Sequence, residues 1–138
     1  MTVRSIVLAS VLIVSGSPAV SGHHSVPKEY DVNKVVVLAG VIASSQLVNP
    51  HVTLDLENQN QGSERGPWRI EMAAPNALTR RQIDLSDQLA AGRRVTIEGW
   101  PALDGSRRLN GRILVTSAGA RLDIGDNFNP MNATLPVR

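Results

Sequence analysis

The stretch Val52–Met72, VTLDLENQNQGSERGPWRIEM, decides the fold. Val52, Leu54 and Leu56 alternate with Thr53, Asp55 and Glu57, the period of two that marks a strand with one apolar and one wet face. After the polar loop Asn58–Gly66 the alternation resumes, with Trp68, Ile70 and Met72 on one side and Arg69 and Glu71 on the other. Two such runs joined by a polar tip predict a hairpin that lays one face on a core.

Working outward, Lys34–Ser44 (KVVVLAGVIAS) is β-branched and nearly uncharged, and Gly40 inside it suits a long strand that bends where a side chain is missing. Arg93–Trp100 (RRVTIEGW) and Leu109–Thr116 (LNGRILVT) flank an Asp-Gly turn in Ala102–Arg108, with Val95, Ile97 and Gly99 on one face and Leu109, Gly111, Ile113 and Val115 in register. Between the hairpin and these runs, Ala74–Gln82 breaks the alternation and predicts a short helix capped by Asn76, with Arg80 and Arg81 where the helix dipole favours positive charge. Leu85–Leu89 adds a further turn before Gly92. Five half-buried strands with one short helix between strands 3 and 4 predict an all-β fold, a small five-stranded antiparallel OB-like barrel. A sandwich or an open meander is the alternative.

The start of the chain has a different character. Arg4 precedes nine uncharged residues, Ile6–Val14, and the small-residue run Ser15–Gly22 follows. That order is a secretory signal peptide, and the apolar run is far short of the ~20 residues a membrane-spanning helix needs. The expected organisation is therefore a signal peptide over 1–22, a β-barrel domain over 23–122 and a loose C-terminal tail over 123–138, with a periplasmic or secreted product. Cleavage before His23, after Ser21 or before Val20 would each satisfy the small-residue rule. A short strand near Arg121–Ile124 is the most structure expected of the tail region.

Composition narrows the function classes. With no Cys there is no disulfide framework, thiolate metal site or Cys nucleophile. The net charge of +2 falls to +1 without Arg4, and four aromatic residues (Tyr30, Trp68, Trp100, Phe128) make a poor base-stacking platform, so nucleic acid is not an expected partner. The Arg pairs at 80–81, 93–94 and 107–108 are interspersed with Asp and Glu, as on an ordinary solvated surface.

Several short blocks stand in order: His23-His24-Ser25, Glu29-Tyr30-Asp31, Gly40-Val41-Ile42, Asn49-Pro50-His51, Pro75-Asn76-Ala77-Leu78 with Arg80-Arg81, and Gly92 followed by Val95–Gly99. As an ordered set over His23–Leu122 they resemble an uncharacterised family, a domain of unknown function found in small exported bacterial proteins. The resemblance implies a periplasmic β-barrel-like domain and lends no activity. Val26, Leu47-Val48 and Gln82-Ile83 stand where the family pattern carries aromatic residues.

All three histidines fall in these blocks. His23 and His24, at the expected mature start, can chelate copper or zinc through imidazole and backbone nitrogen. His51 opens the second strand on the face of Thr53 and Asp55; Asp55, about 13 Å along the strand, is too far to share an ion with it. Any co-ligand of His51 must come from another segment, and the N-terminal stretch with Glu29 and Asp31 is the one that carries histidine. The bland alternative is a strand-edge His51 bonded to a backbone carbonyl. A surface of Asn49, Asn76, Arg80 and Arg81 is a weaker candidate for an anionic ligand or partner. No Ser lies in a nucleophile-elbow context and no His-Glu-x-x-His occurs, so the expectation is a non-catalytic binding module for a protein or small ligand of the periplasm, with a copper- or zinc-binding protein using His23, His24 and His51 as the rival and an accessory enzyme component as a third possibility.

Overall fold

The computed structural model of the chain describes residues 25–128. The expected signal peptide, with His23 and His24, lies outside them, as does 129–138. In chain order the elements are α1 (Val26–Glu29), β1 (Val36–Gln46), β2 (Thr53–Asn58), β3 (Gly66–Glu71), α2 (Pro75–Arg80), α3 (Leu85–Gln88), β4 (Arg94–Pro101), β5 (Arg108–Thr116) and β6 (Arg121–Asp123).

The strands follow the order β3-β2-β1-β4-β5-β6, and a further pairing between β3 and β5 closes the first five into a barrel. The OB-like expectation holds, with one correction to its antiparallel character. The closing seam is parallel, Arg69–Glu71 running alongside Arg108–Asn110, because five strands whose other neighbours all pair antiparallel can close only with one parallel pair. β1 serves two neighbours, β4 through Val36–Val41 and β2 through Gly40–Gln46. Gly40 sits where it changes partner: a Cβ there would stand 2.1 Å from the Glu57 carbonyl oxygen.

The interior is filled by alternating apolar residues, among them Leu38, Leu54, Ile70, Ile97 and Leu109, all with no exposed surface, and it is capped by Leu78, Ile83 and Leu89 from the α2–α3 region. The β2–β3 alternation is as expected. In β5 it is not: an irregularity opposite Glu98–Gly99 shifts the register, and Leu114 rather than Ile113 or Val115 is fully buried.

Two helices, not one, occupy the β3–β4 connection. α2 starts at Ala74 with Pro75 in its first turn, where proline's fixed φ and missing N–H suit a helix start. Asn76 is therefore an exposed residue inside the helix and does not cap it. The side-chain cap belongs to α3, where Asp84 accepts from the Ser86 and Asp87 backbone N–H groups.

The segment from Asp123, expected as a loose tail, packs as far as it is described. Ile124 is fully buried, and its carbonyl accepts from the Ala73 N–H at 2.9 Å. Phe128 joins a second, smaller apolar cluster outside the barrel with Tyr30, Trp100 and Ala102, flanked by Val26 and Val32. Its Trp100 contact is edge-on, with ring centroids 5.8 Å apart.

Candidate functional site

His51 lies at the open end of the β2–β3 hairpin, held there by the Met72 N–H to Val52 carbonyl bond at 2.9 Å. Its Nδ1 is 3.1 Å from the Met72 carbonyl oxygen. A carbonyl only accepts, so Nδ1 carries the proton and donates, and in the neutral ring Nε2 keeps its lone pair. That nitrogen faces Glu71 Oε1 at 3.7 Å, and Asp126 Oδ1 stands 3.5 Å from Nδ1. The imidazole thus lies between two carboxylates from different parts of the chain.

Glu71 ends β3 on its wet face, but at the parallel seam this face does not meet open water. The segment after α1 crosses it, anchored by the bridge between Tyr30 and Ala102. Tyr30, 3% exposed, donates its phenol O–H to Glu71 Oε2 at 2.5 Å. Burial, with the Glu71 carboxylate accepting its proton, pushes the Tyr30 phenol well above its ordinary range. The Arg108 guanidinium, 5.6 Å from the Tyr30 ring centre, pairs with Glu29 at 3.6 Å and Asp104 at 3.4 Å.

Asp126 arrives from the chain beyond β6, which two arginines grip by its carbonyls. Arg81 donates to the Asp123 and Gly125 carbonyls at 3.1 and 2.7 Å and to Asn127 Oδ1 at 3.1 Å. Arg112, stacked 4.6 Å from the Trp100 ring centre, donates to the Asp126 and Phe128 carbonyls at 2.9 and 3.1 Å. Burial pulls the Arg112 pKa down. Gly125 leaves room for this grip, since a Cβ there would lie 2.4 Å from the Arg112 guanidinium carbon.

Asn110 completes the site from β5, paired with Glu71 across the seam. It is 1% exposed, and its Nδ2 donates to Asp126 Oδ2 at 3.4 Å. Its Oδ1 is buried and meets no hydrogen-bond donor among the described residues. A buried acceptor in that condition costs free energy until something donates to it. Asn110, His51, Glu71, Asp126, Tyr30, Glu29 and Val26 together enclose a cavity of about 10 Å³, the room of a single water-sized particle.

The structure therefore brings His51 to the N-terminal stretch. Val26, two residues after His24, lines the same cavity, as do Glu29 and Tyr30. Asp31 turns elsewhere, its Oδ1 accepting from the Asn33 N–H at 3.1 Å. Among the described residues no three His, Asp or Glu side chains group as a metal site would require. Asn49, Asn76 and Arg80 are exposed, whereas Arg81 is committed to the 123–127 segment.

Sequence reading singled out His51 and Glu29 as candidates but not Glu71, Asn110 or Arg112. Glu71 and Asn110 read as solvent-facing positions of two strands, and only the seam, a long-range pairing, joins them. The usable signal for the segment that carries Asp126 was Ile124, which continues the alternation begun by Leu122 and needs a place to be buried.

The model of a family of unknown function, DUF6152, matches residues 10–111, and the chain belongs to that family. Searches of curated proteins and of solved structures find no match.

Proposed function

We propose that this DUF6152 chain is exported and works as a non-catalytic binding module whose ligand is held at the rim cavity between Tyr30, His51, Glu71, Asn110 and Asp126. The observation that carries this reading is Asn110, whose buried Oδ1 has no donor among the described residues and which lines a cavity walled by carboxylates. Such walls offer acceptors, so the ligand brings hydrogen-bond donors or positive charge. The barrel interior supports a binding role over catalysis, because Leu54, Ile70 and Ile97 fill the space where an enclosed substrate would lie. Export rests on the signal-like sequence over 1–22.

Two measurements test it. Mass spectrometry of the protein recovered from the periplasm should show a start within residues 20–23; an uncleaved cytoplasmic chain contradicts export. Amide NMR titrations with ammonium, methylammonium and divalent cations should shift signals at Tyr30, Glu71, Asn110 and Asp126 together. Shifts confined instead to the larger open groove along Ala39, Thr96 and Thr116, or no shifts at all, contradict the site.

A second reading, copper or zinc held by His51 with the mature N-terminal His23 and His24, is favoured by Val26 lining the His51 cavity. Copper titration of the mature protein should weaken in a His24→Ala, His51→Ala double variant. Equal binding by that variant removes this reading.

A further inference from the structure

We infer that the β2–β3 loop is a guard on the free edge of β1, and that the Asn60 side chain keeps a second copy of this chain from adding a strand there. The need for a guard follows from how β1 is shared. β4 pairs with it from Val36 to Val41, whereas β2 joins only at Gly40, so among the described residues the β2-side edge over Val36–Ala39 has no strand beside it. Backbone groups on such an edge are a template for another chain. The side chains add to the hazard: Val35 and Val37, β-branched and apolar, are 63% and 49% exposed. β6, at the end of the sheet, is blunted differently, being three residues long with Arg121 and Asp123 exposed on it.

Asn60 occupies the β1 edge with both ends of its amide. Its Nδ2 donates to the Val37 carbonyl at 2.8 Å, and its Oδ1 accepts from the Ala39 N–H at 3.2 Å. A carboxamide presents the same donor and acceptor as a peptide group, so these are bonds that an added strand would otherwise make. The Gln59 N–H takes the next group along, the Ala39 carbonyl, at 2.8 Å. Three successive backbone groups on this side of β1 are thereby bonded to a loop.

The loop is built to hold that position. Asn58, 1% exposed, donates to the Glu64 carbonyl at 2.6 Å and accepts from the Asn60 N–H at 3.3 Å. Trp68 Nε1 donates to the same Glu64 carbonyl at 2.8 Å. From β4, Arg94 donates to Gln59 Oε1 at 2.8 Å, and Arg107 donates to the Ser63 and Arg65 carbonyls at 3.1 and 2.9 Å. Asn60 belongs to neither apolar cluster, so its contacts serve the edge and not the core. Without its amide, the Val37 carbonyl and Ala39 N–H are open to a partner. The same edge on a second copy can then pair with them about a twofold axis and cover Val35 and Val37.

Sedimentation velocity of the full mature protein over a concentration series tests the guard. Asn60→Ala should associate as concentration rises, its weight-average mass climbing about twofold relative to the unsubstituted chain. Adding Val37→Lys to Asn60→Ala should return the mass to that of the unsubstituted chain, because a charge on an exposed edge opposes pairing. Hydrogen exchange at low concentration should show the Ala39 amide opening several-fold faster in Asn60→Ala, while Leu54 and Ile97 keep their protection and report an intact barrel. Should Asn60→Ala loosen the barrel, Asn60→Ser, too short to reach both backbone groups, is put to the same measurements with the same expected results. A variant that keeps the mass of the unsubstituted chain, association that persists with Val37→Lys, or unchanged exchange at Ala39 each overturns the inference.

Discussion

The barrel interior and the cluster outside it are built from the same chain on opposite principles. Inside, each of the five strands supplies apolar side chains to one continuous core, and closure by the β3–β5 pairing leaves few polar groups to satisfy. Outside, Tyr30, Trp100 and Ala102 form the buried apolar cluster among the described residues, and their neighbours are carboxylates, guanidinium groups and a buried amide. The first region is insensitive to which hydrophobe fills it, within limits of volume. The second depends on individual polar partners, because each buried donor or acceptor must find one. Apolar packing therefore dominates the barrel, and specific polar contacts dominate the place where both flanking segments fold over its seam.

The largest separation between the two regions should come from Ile97→Ala. Removing this fully buried side chain should cost about 2–5 kcal/mol in denaturant unfolding, and both regions should unfold together. A cost below that of the outer-cluster variants would break the comparison. Phe128→Ala removes an edge contact to Trp100 from a partly buried ring and should cost less, about 1–2 kcal/mol. Hydrogen exchange should then show faster opening of residues 26–32 and 123–128 while the barrel strands keep their protection. Uniform acceleration would mean that the two regions are one cooperative unit.

Tyr30→Phe should cost about 1–2 kcal/mol by removing a charge-assisted hydrogen bond. Its pH dependence follows from the raised phenol pKa. Below the ordinary value of 10.0 the contribution is complete; above it the unfolded chain ionises first, and the contribution is lost as pH rises through the higher folded value. Tyr30 is the chain's one tyrosine, so phenolate absorbance reads it directly, and ionisation near the ordinary value would show the Glu71 contact to be absent in solution.

The smallest effect belongs to the wet face of the hairpin. Asp55 bonds Arg69 at 3.0 Å and accepts from the Ser44 hydroxyl, contacts that hold its carboxyl below the ordinary range. The side chains are 39% and 50% exposed, so Asp55→Asn should cost no more than about 0.5 kcal/mol by denaturation at neutral pH. That contribution is present above the ordinary carboxylate value and lost as pH falls through the lowered folded one.

The same contrast explains what the sequence made legible. Alternation in Val52–Glu57 and Trp68–Met72 is local, and the barrel follows from it. The register of β5 does not, since the irregularity that turns Leu114 inward lies in its pairing with β4. The candidate site is less legible still. His51, Glu71, Asn110 and Asp126 span 76 residues of chain and meet only through the parallel seam and the two arginine grips. Asn76 misled for a local reason: Pro75 takes the first turn of α2 and moves the cap position to Ala74. The three expected aromatic absences did not prevent an aromatic cluster, because Tyr30, Trp100 and Phe128 come from elements remote in sequence.

The central claim is that the rim cavity beside His51 binds a small ligand that brings hydrogen-bond donors or positive charge. Amide NMR titration of the mature protein with ammonium chloride tests it most directly. The account predicts shifts at Tyr30, Glu71, Asn110 and Asp126 together. Shifts confined to the open groove along Ala39, Thr96 and Thr116, or no shifts at all, would contradict it.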